Sequence, residues 1–453
     1  MLKLAIALLV SLQVPLSAHD ELAREIYKEL IEINTTESTG DNTIAAEAMA
    51  SRLIAAGFPQ SDVRVLTPAP KKGNLIVRFR GTGARKPVLL LAHLDVVEAR
   101  REDWSVDPFT FLERGGYFYG RGAADDKAMA AIWVATFIRL RQEGFTPDRD
   151  LILALTADEE GGDYNGVDWL LRHHRDLIDA AFALNEGGGG QLRDGRPLLH
   201  AVQASEKIYQ SFLLEVKNVG GHSSRPTRDN AIYRLAQGLT RLEKYEFPVR
   251  INEVTAAYYT RMADFETGRT AADMRAIARS RPDKRVIARL SASPYDNALI
   301  RSTCVATRLD GGHADNALPQ VARATVNCRI LPGESPDSIL STLVQVLDDR
   351  SISVTRIDVA RPSPASPLTP EVMGTIERIT QQMWPGVPVV PIMSTGATDG
   401  LYLRNAGIPT YGVSGLFSSL DDNRAHGMDE RLGVVQFYEG REFLYRLVKA
   451  FSQ

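Results

Sequence analysis

The sequence predicts an α/β protein, with a mostly parallel-sheet domain and an inserted ferredoxin-like α+β domain. Three observations carry this. Apolar runs of strand length at 88–92, 151–157 and 180–184 alternate with helix-patterned stretches, the order that builds a parallel sheet covered by helices. Each of those runs ends in acidic residues, and open α/β sheets place their sites at the C-terminal ends of strands. From about residue 206 the pattern changes to β-α-β-β-α-β, the order of a ferredoxin-like unit.

The chain opens on Met1-Leu2-Lys3, an apolar run over 4–16 and the small pair Ser17-Ala18, which reads as a secretory signal peptide over 1–18. The expected mature chain starts near His19 and is exported, periplasmic or secreted. No later segment has the apolar length a membrane span needs, so no membrane attachment is expected after cleavage. With 453 residues, 44% hydrophobic and 24% charged, the chain has ordinary globular composition and room for more than one domain. A net charge of -3 argues against a nucleic-acid binder.

Leu22, Ile26, Leu30 and Ile33 have helical spacing, and an Ala-rich helix over 43–56 stops at Gly57. Strand-like segments follow at 62–66 and 74–79. The run over 88–92 then delivers His93-Leu94-Asp95. Residues two apart on a strand face the same way, so Asp95 is placed to fix the tautomer of His93. Tyr119 to Lys127 is a glycine-rich turn that carries Asp125 and Asp126 into a helix over 127–143. The run over 151–157 ends in Asp158-Glu159-Glu160, and the run over 180–184 in Asn185-Glu186 and four glycines. Acids so concentrated repel one another unless a cation is present, and carboxylates with imidazoles suit divalent first-row metals.

In the second half, strands are expected at 210–217, 302–309, 321–330 and 352–358, with helices at 230–244 and 335–348. Residues 246–300 exceed an ordinary connection. Pro-rich 361–367 marks a return hinge, giving a parallel-sheet domain over 19–205 and 364–453 with an inserted domain over 206–363. If 302–309 and 321–330 form a hairpin, Cys304 and Cys328 fall nearly opposite; a one-residue slip puts them on opposite faces, so the sequence leaves a disulfide open. The loop over 394–400 offers hydroxyls and backbone donors suited to an anion, Thr398 among them, though its ordinary reading is a helix-capping loop.

The segments HLDVV, YGRGAADDK, DEEGG, NEGG and AHGMDER resemble, in order and approximate spacing, the motifs of the co-catalytic dizinc metallopeptidases. That family includes carboxypeptidase G, carboxypeptidase S, aminoacylase and succinyl-diaminopimelate desuccinylase. The resemblance implies that 19–205 and 364–453 form the catalytic domain and that the inserted 206–363 is its lid, and the long 246–300 segment looks like the enlarged lid of the carboxypeptidase S branch. The resemblance implies two divalent metal ions, Zn²⁺ with Co²⁺ or Mn²⁺ as alternatives, bridged by Asp125. His93 and Glu186 would complete one site, Glu160 and His426 the other. Glu159 falls on the general base and Asp95 on the residue that orients His93, and a cis peptide bond is implied between Asp125 and Asp126. Two such cations would lower the pKa of a bridging water toward about 7. His222 matches the lid histidine that meets the oxyanion, often from a partner subunit in a homodimer formed through the lid. Asn316 and Arg329 match contacts to a substrate carboxylate, for which a guanidinium fork is well shaped. Glutamate at 186 leans toward carboxypeptidases and deacylases. The implied reaction cleaves the amide to a C-terminal amino acid in a peptide or N-acyl amino acid. A dipeptidase and a non-catalytic metal- or peptide-binding protein are the alternatives.

Overall fold

The computed structural model describes residues 16–279, 283–357, 359–419 and 422–453. The predicted signal peptide falls almost wholly outside the described residues. The first described helix, Ala18–Glu32, is started by a capping box between Ser17 and Asp20, and it buries Ile26, Tyr27, Leu30 and Ile31.

Among the described residues the main sheet has ten strands. At its centre Arg85–His93 lies parallel to Arg149–Thr156 on one side and Phe182–Asn185 on the other, and Thr410–Gly412 continues the parallel order. The three runs that end in acids are therefore neighbours pointing the same way, and their acids emerge along one edge. Outer strands, beginning with Asn74–Phe79, pair antiparallel and make the sheet mixed.

The apolar runs are continuous because both faces are covered. Val88, Leu90 and Ala92 pack with Ile132, Val134 and Leu444 of two long helices, Lys127–Gln142 and Val434–Phe451. Leu89 and Leu91 face the other way, onto Val167, Leu170 and Leu403. No helix among the described residues is long and apolar enough to cross a membrane.

A second, antiparallel sheet orders its strands Thr303–Gly311, Val321–Ile330, Ile208–Lys217 and Ile352–Arg356. In chain order that is 2-3-1-4, the ferredoxin-like arrangement, and helices Ala231–Glu243 and Pro336–Leu347 share its core. Cys304 and Cys328 are direct partners in this ladder and form a disulfide, which settles the register that the sequence left open. It closes a loop of sequence separation 24, worth about 3 kcal/mol on a chain-entropy reckoning. Reduction is expected to lower the thermal midpoint, and a Cys304→Ser, Cys328→Ser double variant should show the same midpoint with or without reductant.

Within residues 246–300, Phe247 packs in the core of the second sheet, and the helices over 253–277 and 284–300 reach toward the main sheet. These helices bury Val254, Tyr259, Ile277, Leu290 and Ile300 in the core of the main sheet. Tyr258 and Met262 pack on Leu199, Ala201, Val390 and Ile392.

Candidate metal centre

The acids at the strand ends converge on His93. Its Nδ1 donates to the backbone carbonyl of Asp95 at 2.9 Å, which leaves Nε2 as the ligating nitrogen, 2.9 Å from Asp125 Oδ1. The Asp95 carboxylate was expected against this ring, yet it stands 3.7 Å from Nδ1. It accepts instead from the backbone N–H groups of Glu159 at 3.1 Å and Glu160 at 2.9 Å. The turn after the strand swings the carbonyl onto the imidazole, and the two donors of the neighbouring loop take the carboxylate. Asp95 thus fixes His93 and both glutamates at once.

Asp125 faces two imidazoles through its two oxygens, with Oδ2 3.2 Å from His426 Nε2. Glu160 Oε1 lies 2.9 Å from the same nitrogen, without hydrogen-bond geometry, so this buried oxygen has no hydrogen-bond partner. Ligand atoms of His93, Asp125 and Glu160 lie within 4.8 Å of one another, as do those of His93, Glu159 and Glu186. The Asp125–Asp126 peptide bond is cis, and His426 adopts a left-handed backbone with φ 63°.

The electrostatics fit a divalent cation pair. Burial, reinforced by neighbouring acids, pushes Glu159, Glu186 and Asp126 well above the usual carboxylate range. Burial and the Asp125 charge lift Glu160 to about 7. Burial alone would raise Asp125 too, but the imidazoles of His426 and His93 hold it below the usual range. His426 is raised to about 9 by the Asp125 carboxylate. Without a cation, Glu159, Glu160, Glu186 and His426 hold protons more tightly than free side chains do, and metal binding would displace those protons.

A pH dependence follows. Glu160 rises from 4.5 to about 7 and His426 from 6.5 to about 9 on folding. Between about pH 5 and 9 these two groups therefore bind more protons in the metal-free folded chain than in the unfolded chain, so their contribution to stability falls as pH rises. The stabilisation from His426 is complete below about pH 6.5 and is lost through about 9. Thermal melts of metal-stripped protein should show the midpoint dropping across this window, and added zinc should flatten or reverse the slope.

The other candidate residues lie elsewhere. His222 is exposed in Gly221–His222, a short strand paired with Ala317–Leu318, and its Nδ1 accepts from the Ser224 N–H at 3.1 Å. Asn316 adjoins it, its carbonyl accepting from Ser223 N–H at 3.0 Å. Arg329, beside the start of the lid, stacks over Tyr209 with its guanidinium 4.8 Å from the ring centroid. Thr398 is buried, donating its hydroxyl to Glu206 Oε2 at 2.9 Å and accepting from Gly400 N–H at 3.2 Å. Two acids that the sequence reading passed over matter here. Asp399, raised to about 7 mainly by burial, accepts from Asn165 at 2.6 Å beside the cluster. Glu430 grips the Asp125 loop; its signal was its place in AHGMDER, four residues after His426.

The sequence signature of peptidase family M20/M25/M40 matches residues 89–450. Human N-fatty-acyl-amino acid synthase/hydrolase PM20D1 is 29% identical over 378 residues, 80% of this chain and 74% of that protein. "Probable carboxypeptidase S-like 2" of Dictyostelium discoideum is 29% identical over 391 residues, 83% and 74%. Among solved structures, an M20 family metallo-carboxypeptidase from Sulfolobus solfataricus superposes with a TM-score of 0.72 at 17% identity, covering 95% of this chain and 99% of that one. The signature begins on the His93 strand and ends in the last helix, enclosing the whole acid cluster: the chain belongs to peptidase family M20/M25/M40, metallohydrolases that act on amino-acid amides.

Proposed function

We propose that this chain hydrolyses the amide joining an acyl or peptidyl group to a C-terminal amino acid. The observation that carries the reading is Asp125 set between the imidazoles of His93 and His426, with Glu159 beside His93 and Glu186. His93, Asp125 and Glu186 would hold one divalent cation, and Asp125, Glu160 and His426 a second; the oxygen and imidazole donors accept Zn²⁺, Co²⁺ or Mn²⁺. Cations there would supply Lewis acidity and an activated water at neutral pH.

The remaining work falls to side chains. Glu159, with its proton affinity raised by burial, takes a proton from the attacking water on a carboxylate oxygen and returns it to the leaving nitrogen. A cavity of about 300 Å³ borders Asp125 and Glu186, with Met129, Leu416 and Phe417 on its apolar wall and Asp422, Arg424 and Arg431 on its charged one, and would seat one side of the substrate. On the lid, Arg329 and Asn316 would hold the substrate carboxylate. His222 would meet the oxyanion, and its exposed position suits delivery to a second copy across a lid-to-lid dimer. The human relative's name, an N-fatty-acyl-amino acid synthase/hydrolase, supports an acyl substrate, and that of the Dictyostelium relative a peptidyl one. We also place the mature protein outside the cytoplasm, a reading supported by the disulfide, which suits an oxidising compartment.

N-blocked substrates test this. Purified protein should release the C-terminal amino acid from N-acyl amino acids or N-blocked dipeptides. Cleavage confined to dipeptides with a free amine would make it a dipeptidase.

A further inference from the structure

We propose that Glu430 is the positioning residue for the metal pair, acting through the Asp125 and His426 loops without touching metal or substrate. The proposal rests on the metal assignment above.

The Asp125 loop runs from Gly120 to Asp126 as successive turns, so no helix or strand satisfies its backbone donors. Glu430, 1% exposed, supplies the acceptors. Its Oε1 accepts from Ala124 N–H at 2.7 Å and Asp125 N–H at 3.1 Å. Its Oε2 accepts from Gly122 N–H at 3.1 Å and Arg121 Nη1 at 2.7 Å. The four contacts use the acceptor capacity of a carboxylate, two per oxygen. Its backbone carbonyl takes a fifth donor, Gly120 N–H, at 3.2 Å.

Arg121 extends the clasp. Also buried, it donates through Nη2 to the carbonyl of Gly427 at 3.0 Å and to that of Glu98 at 3.4 Å, with its guanidinium 4.9 Å from the centroid of the Trp104 ring. One carboxylate and one guanidinium thus join three loops: the one carrying Asp125, the one carrying His426, and the one leaving the His93 strand. Asp125 can keep an oxygen toward each imidazole only while these loops hold register, and Glu430 fixes the backbone N–H of Asp125 itself.

The carboxylate is required, beyond the bulk. A glutamine of the same shape has one acceptor oxygen and an NH₂. Whichever way the amide turns, it sets an NH₂ against either Ala124 and Asp125 or Gly122 and Arg121, and two buried donors lose their acceptor.

The test is metal affinity of the stripped protein, measured by competition with a zinc chelator. Glu430→Gln is expected to bind the weaker of the two zinc ions about 10- to 100-fold less tightly than wild type, the usual cost of removing a group that orients metal ligands. At saturating zinc its kcat should recover and its KM stay unchanged. Arg121→Lys covers the case in which Glu430→Gln does not fold. It keeps the charge against Glu430 but loses the reach to Gly427 and Glu98, and should weaken zinc by about threefold or more. Asp429→Asn is the control, because the Asp429 carboxylate accepts from the N–H and hydroxyl of Ser105, takes none of the Gly122, Ala124, Asp125 or Arg121 donors, and should leave zinc affinity as in wild type. Wild-type zinc affinity in Glu430→Gln, or in Arg121→Lys if only that variant folds, overturns the proposal, as does equal weakening in Asp429→Asn. Failure of the wild-type protein to bind zinc would instead overturn the metal assignment.

Discussion

Replacing Glu159 by alanine is expected to lower kcat by about 10³-fold while both metal ions stay bound, within the range that a positioned general base contributes. Glu159 and Glu160 are adjacent in sequence, and Asp95 fixes both backbones, so the variant leaves the Glu160 carboxylate toward His426. Burial and the nearby charges of Glu186 and Asp399 give Glu159 the raised proton affinity that a base working near neutrality needs. Glutamine should do no better than alanine, since an amide cannot accept the proton. Parallel loss of zinc and rate would instead make Glu159 a ligand, a role its distance from His93 and Glu186 also permits.

Asp125→Ala should be more damaging still. Because one carboxylate faces both imidazoles, its loss should weaken both metal sites by more than about 100-fold, above the cost of losing a merely orienting group, and leave no measurable turnover. It should also flatten the dependence of metal-free stability on pH, because His426 owes its raised pKa first to that carboxylate. Metal content by elemental analysis, together with melts at pH 6 and at about 9, reads both effects. A variant that kept two metals would show that Asp125 does not bridge them.

The fold was legible in the sequence where burial is two-sided or strictly alternating. The Val88 to Ala92 run reads as a strand because both of its faces are covered. The lid order was legible because its strands alternate against one layer of helices. That acids at 93–95, 158–160 and 185–186 share one edge followed from three parallel strands ending together. Other features depend on partners that local pattern does not encode. Glu430 reaches Asp125 across 305 residues, the 246–300 helices choose the main core over the lid, and Thr398 spends its hydroxyl on Glu206. The His-x-Asp spacing correctly put Asp95 beside His93, but it could not tell a carbonyl from a carboxylate.

The account's central claim is a metal pair sharing Asp125. Anomalous diffraction at the zinc edge from zinc-loaded crystals tests it directly. Two peaks per chain are predicted, one between His93 and Glu186, the other between Glu160 and His426, with Asp125 reaching both. A single peak, or peaks away from Asp125, would contradict it.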